Sequence, residues 1–357
     1  MSSSRYSQAA ASHDRRTFLR LAGCGGAALI AGRPLAGWAS PATFDPWSIS
    51  RMDFDVSYRT EVRDLPAGAE RVQVWMPLPS GDEVQALSDV QVHCSLPHEE
   101  TREEVYGNRI VHVRARGDSA PFVVEARYHV SRKRSGPLPA RLGVGDRSKY
   151  LRFTPRVRVT DAVEAFAARA VGTARQPMEV GRRVFDAIVE LLTYDKTIPG
   201  CGTGDTAWIM RHKRGKCDDF HALFMAVMVS RGIPVRWEQG FPLPLPQEEA
   251  PEAGRLEGDC TGAHCWASFF DPEAGWVPVD VSEADKIAPH GDRYFGQLTP
   301  NRFKVSEGRS IVLKPAQGGG PLSTFAFAYA EADGLPLIYA ANYENVIQYR
   351  ITGVETS

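Results

Sequence analysis

Long apolar runs are missing from these 357 residues. None reaches the roughly 18 residues that a membrane-crossing helix needs, so no membrane span is expected. An excess of one charge is missing as well: 42 Lys and Arg stand against 43 Asp and Glu. The basic residues are dispersed along the chain. They form no stripe of the kind that gathers nucleic acid or an anionic surface, so neither partner is expected. The short run Arg132-Lys133-Arg134 reads as a solvated loop. No repeat at a fixed period is visible, which excludes solenoids and propellers. The glycines of Gly200-Cys201-Gly202-Thr203-Gly204-Asp205 match neither a phosphate-binding loop nor a dinucleotide fingerprint. His93, His98, His112 and His129 lack metal-ligand spacing and read as structural or surface residues. Cysteine is scarce, with six in the chain.

Other features are present. Hydrophobic residues make up 43% of the chain, enough for sizeable cores and for two folded units. Arg15-Arg16-Thr17-Phe18-Leu19-Arg20 has the form of a twin-arginine export signal. A weakly apolar, Gly- and Ala-rich stretch follows from Leu21 to Ala31. Gly37-Trp38-Ala39 then puts small residues where a signal peptidase needs them. A signal peptide over 1–39 is therefore expected, with a periplasmic or otherwise exported product. Leu21-Ala22-Gly23-Cys24 has the form of a lipobox, but almost nothing apolar separates it from Arg20. Once the signal is removed, five cysteines remain. Cys217 has the better claim to be a free nucleophile. Cys94, Cys201, Cys260 and Cys265 allow three pairings, and an oxidising compartment permits a disulfide. Cys201 with Cys260 is the first expected pair, and small buried thiols are the alternative.

Alternating segments run from about 50 to 134: 54–58, 71–76, 109–114 and 123–130, with turns such as Pro66-Ala67-Gly68 and Gly107-Asn108 between them. That pattern predicts an antiparallel β-sandwich over 50–134. A linker follows over 135–149. Helical spacing then appears over 161–171, with Asp161 as a plausible N-cap, and over 180–192. From Phe220 to Val229 nearly every residue is apolar, which predicts a buried helix. Arg231-Gly232-Ile233-Pro234 ends it. Strands are expected at 235–240, 264–270, 276–281, 310–314, 324–330 and 345–351. The segment 301–357 is expected to complete or flank the sheet of a core spanning 150–300.

Cys217 begins the buried helix. Unpaired N–H groups and the helix dipole favour an anion there, which lowers a thiol pKa. Asp218 and Asp219 oppose this unless they point away. A base is needed, and the base must be oriented. Residues 262–280 read as a β-hairpin turning at 272–274. If Phe270 lies opposite Trp276, His264 and Asp280 are diagonal neighbours on one face, roughly 7 Å apart at Cβ. A shift of one residue would separate them. A metal set of Cys217, His221, His264 and Cys265 fails on the same geometry, because adjacent strand residues point to opposite faces. No metal and no cofactor are expected.

Gly215-Lys216-Cys217-Asp218-Asp219-Phe220-His221-Ala222-Leu223-Phe224 and the following Arg231-Gly232-Ile233-Pro234-Val235-Arg236 resemble the nucleophile motif of the bacterial transglutaminase-like superfamily. His264-Cys265-Trp266-Ala267 resembles its histidine block. Gly275-Trp276-Val277-Pro278-Val279-Asp280-Val281-Ser282 resembles its aspartate block. The resemblance covers roughly 150–300. It implies an α+β, papain-like core of helices on an antiparallel sheet, with Cys217, His264 and Asp280 as catalytic triad. Ser268 stands where the family often has an acidic residue. No Gln matches the papain-type oxyanion donor, since Arg211 is there. Tyr194 and Trp208 are the side-chain candidates for that role, and Asp218 would line the site. The implied chemistry is acyl transfer on a protein or peptide substrate through a Cys thioester, with hydrolysis favoured over cross-linking. Cell-wall peptides are the substrates that export and the resemblance suggest first. The alternative is a silent binding or assembly module.

Overall fold

Alternation in Ile49–Val62 is strict: from Met52 to Val62 every second residue is buried. Such a strand needs a core on one face and neighbours at both edges. In the computed structural model, which describes residues 43–247, 254–286 and 291–357, it has both. The expected signal peptide (1–39) and Cys24 lie outside the described residues. No helix among the described residues is long and apolar enough to cross a membrane.

The fold is α+β. Ile49–Val62 lies between Phe122–Lys133 and Tyr343–Thr356, antiparallel to both. Gln85–His93 and Glu257–Asp259 complete this five-stranded sheet. A second five-stranded sheet is built on Arg71–Leu78 and Arg109–Arg116, with Tyr329–Ala332 beside the former. Val56, Tyr58, Val72, Val74, Val113 and Val124 meet in one buried cluster. The four-stranded sheet of the core has the order Gly275–Val279, His264–Asp271, Val235–Pro242, Arg302–Glu307.

Three helices stand where the apolar spacing predicts them, while Val144–Tyr150, Thr206–His212 and Val281–Lys286 are too short for that spacing to mark. Asp161–Val171 is capped by Thr160, whose Oγ1 accepts from the N–H of Val163, so Asp161 is the first helical residue and not the cap. Pro177–Leu191 packs on the sheet, and Gly181 abuts the Phe269 ring so closely that an added Cβ would lie 2.6 Å from it. Cys217–Ser230 is buried from Asp219 to Val229. Its all-round apolarity is explained by neighbours on every side: Pro177–Leu191, Thr206–His212, the sheet and Val281–Lys286.

The C-terminal segment divides. Arg302–Glu307 joins the core sheet, whereas Tyr329–Ala332 and Tyr343–Thr356 pair with sandwich strands. Residues 310–314 form no strand and only a single bridge, Ile311 to Leu322. The linker region is strapped down by bridges from Ser135 to Leu298 and from Leu138 to Trp276, and it contains the helix Val144–Tyr150. Arg132 is not in a solvated loop. It lies within the strand Phe122–Lys133, pointing inward, with Nη1 donating to Gln85 Oε1 at 3.2 Å and its guanidinium over Trp266. All five described cysteines are free thiols, so Cys201 and Cys260 are not joined. Cys260 packs into the sandwich core, while the Cys201 Sγ faces the Lys196 carbonyl in the Gly-rich loop.

Candidate active site

The Gly-rich loop anchors the helix that carries Cys217. Asp219 sits in the first turn, where backbone N–H groups lack helical acceptors. Its carboxylate accepts from the N–H of Lys216 (2.9 Å), Gly202 (2.6 Å) and Gly204 (3.0 Å). Gly215 makes room, since a Cβ there would lie 2.2 Å from Asp219 Oδ2. Asp219 therefore points back at the loop and away from Cys217. Burial raises its pKa, and the three N–H donors oppose that rise.

Asp218 stays beside the thiol, with Oδ2 3.7 Å from Cys217 Sγ. Burial foremost, then the charge on Cys217, push its carboxyl up to about 8, against the pull of Arg309. A protonated Asp218 brings no negative charge to the thiol, which removes the objection raised by its sequence position. Arg309 is buried 3.6 Å from Asp218 Oδ1, donates to the Thr203 carbonyl and lies over the Trp237 ring.

His264 starts its strand, and Asp280 follows the end of the neighbouring one. Phe270 does lie opposite Trp276, the register that makes His264 and Asp280 neighbours. The His264 Nε2 is 2.7 Å from Asp280 Oδ2, leaving Nδ1 for the thiol. Burial would lower the His264 pKa. The charge and hydrogen bond of Asp280, joined by those of Cys217, override it and lift it to about 10. Cys217 is drawn well below its ordinary value. The hydrogen bond from the Cys265 thiol is the largest cause, burial opposes it, and His264 adds a hydrogen bond and a charge.

Asp280 is itself held from several sides. Its Oδ1 accepts from the Ser282 hydroxyl and the Glu283 N–H, both at 3.1 Å, so it caps the helix Val281–Lys286. Arg302 Nη1 donates to Oδ2 at 2.8 Å. Its pKa is held well below the usual carboxylate range: burial opposes this, and His264, then Arg302, outweigh it. His221 lies one turn after the thiol. Its Nε2 accepts from the Val281 N–H (3.1 Å), so Nδ1 carries the hydrogen and donates to the Cys217 carbonyl at 2.9 Å.

Tyr194 stands near the thiol, held by a two-residue parallel bridge to Arg214–Gly215, with Lys286 Nζ 3.9 Å from its ring centre. Burial, then the charge on Cys217, push its hydroxyl up to about 12, so it stays a donor. Trp208 stacks on His212 at 4.3 Å and turns its Nε1 edge to Gly200. Arg302 escaped the sequence reading, because no local pattern marks it. Arg309 belongs to Gly308-Arg309, where the family resemblance continues weakly, but that resemblance assigns it no role.

Two groups of ligand-type atoms lie within 4.8 Å of one another: Cys217, Asp218 and Cys265; and His264, Asp280 and Glu283. Arg302 donates to the same Asp280 oxygen that faces His264, which places a cation in the second group already. We assign no metal or cofactor to either.

Residues 164–281 match the Transglutaminase-like superfamily, a stretch that contains Cys217, His264 and Asp280. That stretch is transglutaminase-like. The chain is similar to an uncharacterized protein of Haemophilus influenzae, 24% identical over 317 residues, covering 78% of this chain and 86% of that one. An 81-residue stretch is 33% identical to the uncharacterized protein YebA of Bacillus subtilis, covering 21% of this chain and 10% of YebA. Among solved structures, a candidate cysteine protease from Cytophaga hutchinsonii shares the fold at a TM-score of 0.51 and 15% identity, over 84% of this chain and 98% of that one.

Proposed function

We propose that the protein is an exported thiol hydrolase of peptide-like amide bonds, with Cys217 as nucleophile, His264 as acid and base, and Asp280 as the group that orients His264. The observation that carries this reading is the position of His264, tied through Nε2 to a buried Asp280 at 2.7 Å and sharing a hydrogen bond with Cys217 on its other side. The Cys217 thiolate attacks the amide carbonyl. The oxyanion is met by the N–H of Cys217, free by its place in the first turn, and by the Tyr194 hydroxyl. Protonated His264 passes its proton to the leaving amine as the C–N bond breaks, which leaves a thioester on Cys217. Water then gives a proton to His264 and adds to the thioester, releasing the acid and restoring the thiolate. An amine in place of water would give transamidation. Cell-wall peptides are the first substrates to try. Export rests on Arg15-Arg16 and the small residues before Ser40, and Arg15→Lys with Arg16→Lys should retain the protein inside the cell.

The test is iodoacetamide labelling from about pH 4 to about pH 9, located by mass spectrometry. Cys217 should label fast near neutrality, and His264→Ala should slow it at least tenfold. Equal rates in the two proteins would overturn the reading and leave a binding module.

A further inference from the structure

Cys265 makes and breaks no bond in that reaction, though its thiol is packed against the nucleophile. The two Sγ atoms and an Asp218 oxygen lie within 4.8 Å of one another. Cys265 is 0% exposed and Cys217 is 6% exposed. The other described cysteines lie elsewhere: Cys260 in the sandwich core, Cys94 at its margin and Cys201 in the Gly-rich loop. His221 Nδ1 lies 3.6 Å from the Cys265 sulfur, but its hydrogen goes to the Cys217 carbonyl at 2.9 Å, so it offers the Cys265 S–H no acceptor. The Cys265 S–H is therefore left to point at Cys217. Cys217 is the more exposed of the two, so a small oxidant meets it first and finds one thiol already waiting behind it.

We propose that Cys217 and Cys265 form a peroxide-responsive pair that closes reversibly into a disulfide. The Cys217 thiolate attacks the distal oxygen of a hydroperoxide. The O–O bond breaks, Cys217 becomes a sulfenic acid, and the alcoholate leaves and takes up a proton. The Cys265 sulfur then attacks the Cys217 sulfur. The sulfenic hydroxide leaves with the Cys265 proton as water, and the disulfide forms. A dithiol reverses the step and is itself oxidised. The pair protects the nucleophile, because a sulfenic acid without a partner thiol goes on to the irreversible sulfinic acid.

Peptide mapping of the mature protein after hydrogen peroxide tests this without reference to activity, so its failure and that of the hydrolase reading are separate. The expected result is a linked peptide pair containing Cys217 and Cys265, removed by dithiothreitol. In Cys265→Ser, which keeps a hydrogen-bond donor beside Cys217, and in Cys265→Ala at a pH where Cys217 is ionised, Cys217 should accumulate sulfinic acid at least tenfold faster and resist dithiothreitol. Melting curves of both variants before oxidation show whether they are folded. Sulfinic acid on wild-type Cys217 at the variants' rate, or no linked peptide at any peroxide dose, overturns the proposal.

Discussion

At the scale of single residues, the site is an arrangement of charges that hold one another. His264 is lifted because Asp280 is ionised, and Asp280 stays ionised because His264 and Arg302 face it. Asp280→Asn keeps the shape and removes the charge. The His264 pKa then falls from about 10, so the imidazolium is lost at lower pH. Cys217 loses part of the positive charge that depresses it, so its thiolate appears at higher pH. The pH profile of kcat/KM should narrow from both sides, with the alkaline limb moving down and the acid limb moving up. A profile of unchanged width would show that Asp280 does not act through His264. Arg302→Met tests the other side of the carboxylate. Removing one partner of a buried ion pair costs about 3 kcal/mol, and urea denaturation should read a loss of that order. Cys217, His264 and Asp280 were legible because a helix start and a hairpin register are local patterns. Arg302 was not, since its place depends on a strand that pairs across the sheet with Val235–Pro242.

At the scale of elements, the first turn of the Cys217 helix and the Gly-rich loop are one unit. The sequence offers no phosphate role for that loop, and the fold supplies another: its N–H groups satisfy Asp219. Asp219→Ala should free the amides of Gly202 and Gly204, and hydrogen exchange over 200–205 should rise while the strands stay protected. Gly215→Ala should act through the same contact, because its Cβ would occupy the space of the Asp219 carboxylate. The two substitutions share one interaction and should not add. A double variant as destabilised as the sum of the singles would mean that Gly215 matters for a different reason. The Cys217–Cys265 pairing belongs to this scale too. Alternation expects the side chains of His264 and Cys265 on opposite faces, yet at the start of their strand both reach the Cys217 sulfur. Which face meets the helix start is fixed by packing between elements, and no local pattern contains it.

At the scale of the whole molecule, the first and last described strands are structural partners. Tyr343–Thr356 runs beside Ile49–Val62, from Val62 opposite Tyr343 to Ile49 opposite Thr356. The alternation of 345–351 marked a strand, but the identity of its neighbour, some three hundred residues earlier, could not be read locally. The cores are likewise joined. Phe241 and Phe303, from strands of the four-stranded sheet, belong to the buried cluster of the sandwich with Phe54, Tyr58 and Tyr128. An excised 150–300 fragment would keep Cys217, His264 and Asp280, but it would lose Arg302 and expose Phe241. Burying an aromatic side chain is worth about 1.5–3 kcal/mol, and native domains hold only about 5–15 kcal/mol in total. We therefore expect the fragment to lack a cooperative melting transition. Deleting 343–357 should do similar damage from a distance, because it strips one edge from Ile49–Val62 and leaves a long unpaired edge prone to association. Both can be read by circular dichroism and size-exclusion chromatography. A fragment that melts cooperatively and still labels rapidly at Cys217 would show that the transglutaminase-like core stands alone and that the sandwich is an appendage.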